Sequence, residues 1–261
     1  MNAKSPMPNA MTLSLSRIVL AFLLLCAASS LSSCRDPALV ESAKKDALKF
    51  SNTMTWRPDY LSWAQKAEAL PGVGIPSPPK NSSAETQEDL RVMHGYQAAR
   101  TAAQIEEIKS EIDILQARFG DQTLAQHVDQ KRRPNSFDLM AFVTEIEGPQ
   151  VMRQKQLFDR VRPSFLDPTI KPAIPVPPHP AYPSGHATQA FLRAFVLGSL
   201  DPKNASVYLK SAERIARNRE IAGLHYPSDS AAGRALAQQL FAVLSRDPNF
   251  VQQFWLAKKE W

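Results

Sequence analysis

Eight residues able to do chemistry together fall in three short runs. Lys155, Arg162 and Pro163 form K-x6-R-P; Pro183-Ser184-Gly185-His186 follows; Arg219, His225 and Asp229 then form R-x5-H-x3-D. Three cations suit an oxyanion: Arg162 offers a planar fork for two oxygens, Lys155 a point charge, and Arg219 a third positive group. Lys155 and Arg162 lie two helical turns apart, so on one helix both project toward a common point just before Pro163 ends it. Ser184 and Gly185 fall where a helix begins. Free N–H groups and the positive end of the dipole favour an anion there, and glycine lets the backbone approach it closely.

The histidines separate reaction from storage. An anion store needs donors only, whereas phosphoryl transfer needs a nucleophile and a proton source. Asp229 follows His225 by four residues, close enough at a helix start to take the Nδ1 proton and leave Nε2 as a lone pair aimed at phosphorus. His186, inside the cation-rich turn, is the matching acid. His94, His127 and His179 lack such company and read as surface or satisfied core groups. No histidine pair has ligand spacing and carboxylates are few, so the cations stand in place of a metal.

Helices must hold these groups. Ser82 and Glu85 have capping-box spacing ahead of a stripe of Leu90, Met93, Gln97, Thr101, Ile105, Ile108, Ile112, Leu115 and Phe119, which predicts one long helix with a buried face. Further helices are expected over 136–147, 149–160, 184–199, 203–222, 228–245 and 248–258, several opened by N-cap residues such as Ser228, or Asp201 and Asp247 before proline. No segment alternates with period two. Residues 36–70 read as one or two short helices carrying Trp56 and Trp63, and Pro71 to Pro79 as a linker or wrapped loop. Eight prolines between Pro163 and Pro183 hold the chain extended between two motifs and so fix how far apart they sit.

Length and composition agree with one all-α domain over 34–261, its N-terminal extension and Pro-rich linker at about 36–83. The 261 residues are 44% hydrophobic and 21% charged, which excludes a disordered tail and a multispanning membrane protein. Residues 1–33 have the profile of a signal peptide, with Ile18 to Ala28 too short a run to cross a bilayer. Leu31-Ser32-Ser33-Cys34 resembles a lipobox, which predicts cleavage before Cys34 and acylation of its thiol. Cys26 would leave with the leader, so no internal disulfide is possible. Loss of Lys4 and Arg17 leaves 29 basic against 25 acidic side chains. With Lys131-Arg132-Arg133 as the only tight basic run, read as a solvated loop, nucleic acid is not an expected partner.

Taken in order, the three motifs resemble those of the type 2 phosphatidic acid phosphatase superfamily, which includes bacterial class A non-specific acid phosphatases and vanadium-dependent haloperoxidases. The likeness covers residues 155–229. It implies an α-helical bundle of the acid phosphatase/haloperoxidase type, with Lys155, Arg162 and Arg219 as phosphate ligands and Ser184 and Gly185 as further donors. It also implies His186 as general acid and His225, oriented by Asp229, as the nucleophile that forms a phosphohistidine. The activity expected is metal-independent hydrolysis of a small phosphomonoester, with no cofactor, on the exported face of a bacterial envelope membrane to which Cys34 is anchored.

A lipid-phosphate phosphatase is the nearer alternative, because an acyl anchor would hold the site near headgroups. In a haloperoxidase, vanadate would be cofactor rather than phosphate mimic, but such enzymes are generally much longer. A non-catalytic phosphate-binding lipoprotein is the last alternative. Two departures weaken placement within class A: Asn218 stands where the pattern usually has Ser, and Pro180-Ala181 precede Tyr182 where Gly-Ser is usual.

Overall fold

The computed structural model describes residues 36–111, 128 and 130–261. The signal peptide, Cys34, His127 and the Ile112, Leu115 and Phe119 end of the stripe lie outside them. Ten α-helices are described: α1 (Pro37–Ala47), α2 (Pro58–Lys66), α3 (Ala84–Ala99), α4 (Ala102–Ser110), α5 (Pro134–Phe158), α6 (Pro163–Leu166), α7 (Gly185–Leu200), α8 (Ala205–Ile221), α9 (Pro227–Leu244) and α10 (Pro248–Lys258). Short 3-10 turns cover Phe50–Asn52 and Pro202–Asn204. Among the described residues there is no strand, only a bridge between Lys49 and Arg160; the fold is all-α. The chain divides after Ala43, and everything below concerns the unit Lys44–Trp261.

Helix α7 is the centre. Eleven of its sixteen residues are buried, so it is apolar nearly all round, as a core helix must be. Helices α8 and α9 pack most extensively against it. Leu192, Val196, Leu197, Tyr208, Ala212, Ile215, Leu236 and Leu240 close the core between them. Gly233 of α9 sets the crossing: a Cβ there would lie 2.8 Å from the Ser184 carbonyl and 2.9 Å from Ala187 Cβ. With the Ser184 N–H donating to the Asp229 carbonyl at 3.0 Å, the first turns of α7 and α9 are locked together.

Several boundaries differ from the sequence reading. The long helix breaks at Arg100, because Thr101 starts a helix of its own: its hydroxyl accepts from Gln104 N at 3.2 Å and the Gln104 side chain accepts from Thr101 N at 2.8 Å. Ser83, not Ser82, caps α3 by accepting from Thr86 N, while Ser82 bonds Asp46. The helices expected over 136–147 and 149–160 are one. Pro149 costs an intrahelical bond, yet Leu139, Val143, Glu147, Val151 and Lys155 continue a single buried stripe through it. Helix α9 starts at Pro227 with Tyr226 as N-cap, one residue before the expected Ser228 start. The Pro71–Pro79 stretch is a wrapped loop, held by the Tyr182 hydroxyl on the Pro76 carbonyl (2.7 Å) and by Gly74 N–H on the Gln239 side chain (2.7 Å).

Candidate active site

His225 sits just before α9, whose first turn fixes its tautomer. Asp229, at the third helical position, accepts through Oδ2 from Tyr226 N (3.0 Å), capping the helix, and from His225 Nδ1 (3.1 Å). On the other side of the ring, Arg162 Nη1 donates to His225 Nε2 at 3.0 Å. Arginine cannot accept, so Nε2 carries the lone pair and Nδ1 the proton. Burial, with Arg162 and Lys155 nearby, holds the imidazole well below its ordinary range, and it is neutral at neutral pH.

Gly223 carries the chain from α8 to this histidine. It lies at φ +76°, its N–H bonds the Glu220 carbonyl, and Leu224 N bonds the Arg219 carbonyl at 3.1 Å. This double bond pattern is a Schellman closure, which suits glycine. Arg219 and His225 are thereby fixed relative to each other.

The three cations converge, but not as two turns of one helix. Helix α5 ends at Phe158, Asp159 reverses the chain at φ 48°, and Arg162 follows in extended backbone. Both groups are fully buried, and their donors are largely spent within the protein. Lys155 Nζ donates to the carbonyls of Pro180 (2.8 Å), Ala181 (3.1 Å) and Pro183 (2.6 Å). Burial pulls Lys155 down, but three carbonyl acceptors call for the three donors of the ammonium form. Arg162 also donates through Nε to the His179 carbonyl, through Nη2 to His179 Nδ1 and through Nη1 to the Leu224 carbonyl. Burial lowers it to about 10, which leaves it charged.

Arg219 differs. Its Nη2 donates to the Ile108 carbonyl (3.1 Å) and pairs with Glu111 Oε2, while Nε and Nη1 have no hydrogen-bond partner among the described residues. Arg219 also lines the cavity that holds the two histidines, together with Glu147, His179, Gly185 and Gln189. The space left there for a water-sized body is about 30 Å³, a few times the ~10–15 Å³ that one water needs. A wider depression, about 430 Å³, is lined by Lys49, Lys80 and Arg160 and contains neither motif histidine; converging groups, not volume, locate the chemistry.

At the start of α7, Ser184 is the N-cap. Its hydroxyl accepts from Ala187 N at 3.4 Å and does not reach the cavity wall. Gly185 and His186 occupy the first two helical positions, whose N–H groups have no intrahelical acceptor. The His186 ring donates through Nε2 to the Glu111 carbonyl at 3.2 Å. Burial first, and then Arg219, hold it well below the ordinary imidazole range.

Four residues of this constellation were not singled out in the sequence, or were read as ordinary. Arg160 donates from Nη1 to Asp229 Oδ1 at 2.6 Å with both side chains buried; its signal was the R-x-R-P alternation, which in extended backbone puts both guanidiniums on one side. Glu111 pairs with Arg219, and Asn218 Nδ2 bonds its other oxygen at 2.7 Å, so the departure at Asn218 has a local partner. His179 is the satisfied core group its reading allowed, with a specific partner: it is a buried acceptor for Arg162. Glu147 is pushed up to about 8 by burial and is protonated at neutral pH. His94 is a half-exposed partner of Asp167, as its surface reading expected.

Comparison with known proteins agrees with the geometry. Residues 139–252 match the model of the PAP2 superfamily. The chain is 26% identical to a non-specific acid phosphatase of Providencia stuartii over 85% of its own length and 93% of that protein. It is 30% identical to an acid phosphatase of Zymomonas mobilis subsp. mobilis over about half of each, 51% and 52%. Among solved structures, a bacterial vanadium-dependent iodoperoxidase superposes with a TM-score of 0.51 at 15% identity, over 78% of this chain and 63% of that one, which establishes a shared fold.

Proposed function

We propose that this chain, a phosphatase whose residues 139–252 match the PAP2 superfamily model and whose relatives are acid phosphatases, hydrolyses phosphomonoesters without a metal, through a phosphohistidine on His225. One observation supports this most. A neutral imidazole, its Nδ1 proton held by Asp229, shares a cavity with Arg219, whose Nε and Nη1 donors are unpaired among the described residues. A phosphate store has no use for the oriented lone pair.

In the first step His225 Nε2 forms a bond to phosphorus, and Arg162 exchanges its bond to Nε2 for one to a phosphoryl oxygen. The P–O bond breaks, and the leaving alkoxide takes a proton from His186. In the second step His186 removes a proton from water, the oxygen attacks phosphorus, and the N–P bond returns its electron pair to Nε2. Charge on the equatorial oxygens is met by Arg219, Arg162 and the amides that open α7, which are fixed in advance and need little reorganisation. Lys155 adds positive potential from behind. The same donors fit orthovanadate, another tetrahedral oxyanion, which is expected to compete with substrate.

The test is rapid-quench labelling with a ³²P-monoester. Wild type should yield an acid-labile, base-stable phosphoenzyme, unaffected by chelator, and His225→Ala should form none and lose turnover. Wild-type turnover by His225→Ala would falsify the nucleophile. Running phosphatidate beside p-nitrophenyl phosphate separates lipid from soluble substrates. Among the described residues no helix is long and apolar enough to cross a membrane, so association through an acylated Cys34 belongs to this proposal. Intact mass of the membrane fraction checks it: a mature chain without lipid mass on Cys34 removes the anchor.

A further inference from the structure

Arg160 touches none of the cavity that holds the two histidines, yet it is buried against the residue that orients one of them. The two oxygens of Asp229 are divided. Oδ2 serves His225 Nδ1 and Tyr226 N, and Oδ1 accepts from Arg160 Nη1 at 2.6 Å. The guanidinium is held in turn from several sides: Nη1 also donates to Ser228 Oγ (2.8 Å), Nη2 to Thr86 Oγ1 (3.3 Å), and its carbon lies 4.0 Å from the centre of the Tyr226 ring. Asp89 of α3 lies 3.6 Å from Nη2 and bonds Ser228. Turning the Asp229 carboxylate away from His225 would therefore break a buried ion pair whose other half cannot follow.

We propose that Arg160 is a positioning residue for phosphoryl transfer: by holding Asp229 Oδ1 it keeps Oδ2 on His225 Nδ1, and so keeps Nε2 as the attacking lone pair. This rests on the reading of His225 as nucleophile. Arg160 has a second consequence, on proton affinity. Its charge offsets that of Asp229, so its removal leaves a carboxylate that favours imidazolium at His225. The other charged or titratable groups facing the pair stay in place: Arg162, Lys155 and His179 beside it, His186 from α7, Arg219 and Glu220 from α8, and Asp89, Tyr226 and Tyr182 around the carboxylate.

The experiment compares Arg160→Met and Arg160→Lys with wild type in kcat, KM and phosphoenzyme formation across pH, with folding followed by circular dichroism. For Arg160→Met, kcat should fall by about 100-fold, the cost of a misplaced reacting group, with KM within about three-fold because no substrate contact is lost. The acid limb of its kcat profile should move to higher pH, and Arg160→Lys should move it part of the way back. Should Arg160→Met fold poorly, the acid limb of Arg160→Lys alone carries the test. An unmoved acid limb, with kcat falling only in proportion to the fraction of enzyme that forms phosphoenzyme, overturns the proposal in favour of simple structural loss. A rise in KM at unchanged kcat overturns it as well. Failure of the underlying reading looks different: wild type itself would form no phosphoenzyme.

Discussion

Replacement of Lys155 separates two roles that its position allows. A cation that only binds phosphate can be removed with loss of affinity and little loss of stability. The geometry assigns a further role, because all three Nζ donors go to the carbonyls of Pro180, Ala181 and Pro183, and these tie down the segment that delivers Ser184 and His186 to the cavity. Lys155→Met would leave those acceptors without their donor. Each unsatisfied buried carbonyl costs about 1–3 kcal/mol, and relief from burying the charge offsets part of the sum, so a net loss of about 3–5 kcal/mol is expected. At roughly 2–4 °C per kcal/mol for a domain of this size, Tm should fall by about 6–20 °C. The assay is thermal unfolding by circular dichroism, paired with phosphate inhibition constants on p-nitrophenyl phosphate. Weakened phosphate inhibition with Tm within about 2 °C of wild type would refute the tether and return Lys155 to the role of simple ligand.

Two further outcomes follow from the same geometry. His225 must be neutral to attack and His186 protonated to release the alcohol, and both are held below the ordinary 6.5 by burial; kcat/KM should therefore be bell-shaped with its maximum below pH 6.5, and a maximum above neutrality would contradict the assignment. Gly233→Ala places a Cβ 2.8 Å from the Ser184 carbonyl, so α9 must shift off α7; a stability loss of about 1–3 kcal/mol with a disproportionate fall in kcat is expected from denaturant melts and steady-state rates, and unchanged kcat would show that the crossing does not set the site.

The fold class and the converging groups were legible because each rests on local chemistry. Proline at a first helical position followed by an apolar face announces α10, and Asp247 caps it as its type suggests, accepting from Asn249 and Phe250 N–H. Asp229 was readable as the partner of His225 Nδ1, and its Oδ2 makes that contact while also capping α9. What stayed hidden depends on distant partners. Nothing local shows that Pro149 continues a helix; the buried stripe from Leu139 to Lys155 that carries it through acquires meaning only once α2, α7 and α10 pack around it. The break at Arg100 was present in the sequence, as the capping box of Thr101 and Gln104, but the apolar stripe on both sides outweighed it. Arg160 and Glu111 look like solvated charges until the chain folds them onto Asp229 and Arg219, contacts that span 69 and 108 residues.

Ranking the cations by the donors they have left changes how the site is understood. Lys155 spends its three N–H groups on the backbone, and Arg162 spends four of its five on His179, Leu224 and His225. In the proposed reaction their service to an incoming oxyanion is mainly potential, together with the one bond Arg162 makes to His225 Nε2, which attack at phosphorus would have to replace. Among the described residues Arg219 keeps Nε and Nη1 unpaired, with Glu111 and the Ile108 carbonyl on Nη2, an arrangement that turns a flexible side chain into a fixed fork of two donor atoms. Asn218, the one departure within the third motif, bonds the Glu111 oxygen that Arg219 leaves free. The substitution thus keeps the carboxylate in place from the other side. A buried cation held by a carboxylate that is itself held loses little entropy when it binds, which is what electrostatic stabilisation of a phosphoryl transition state requires.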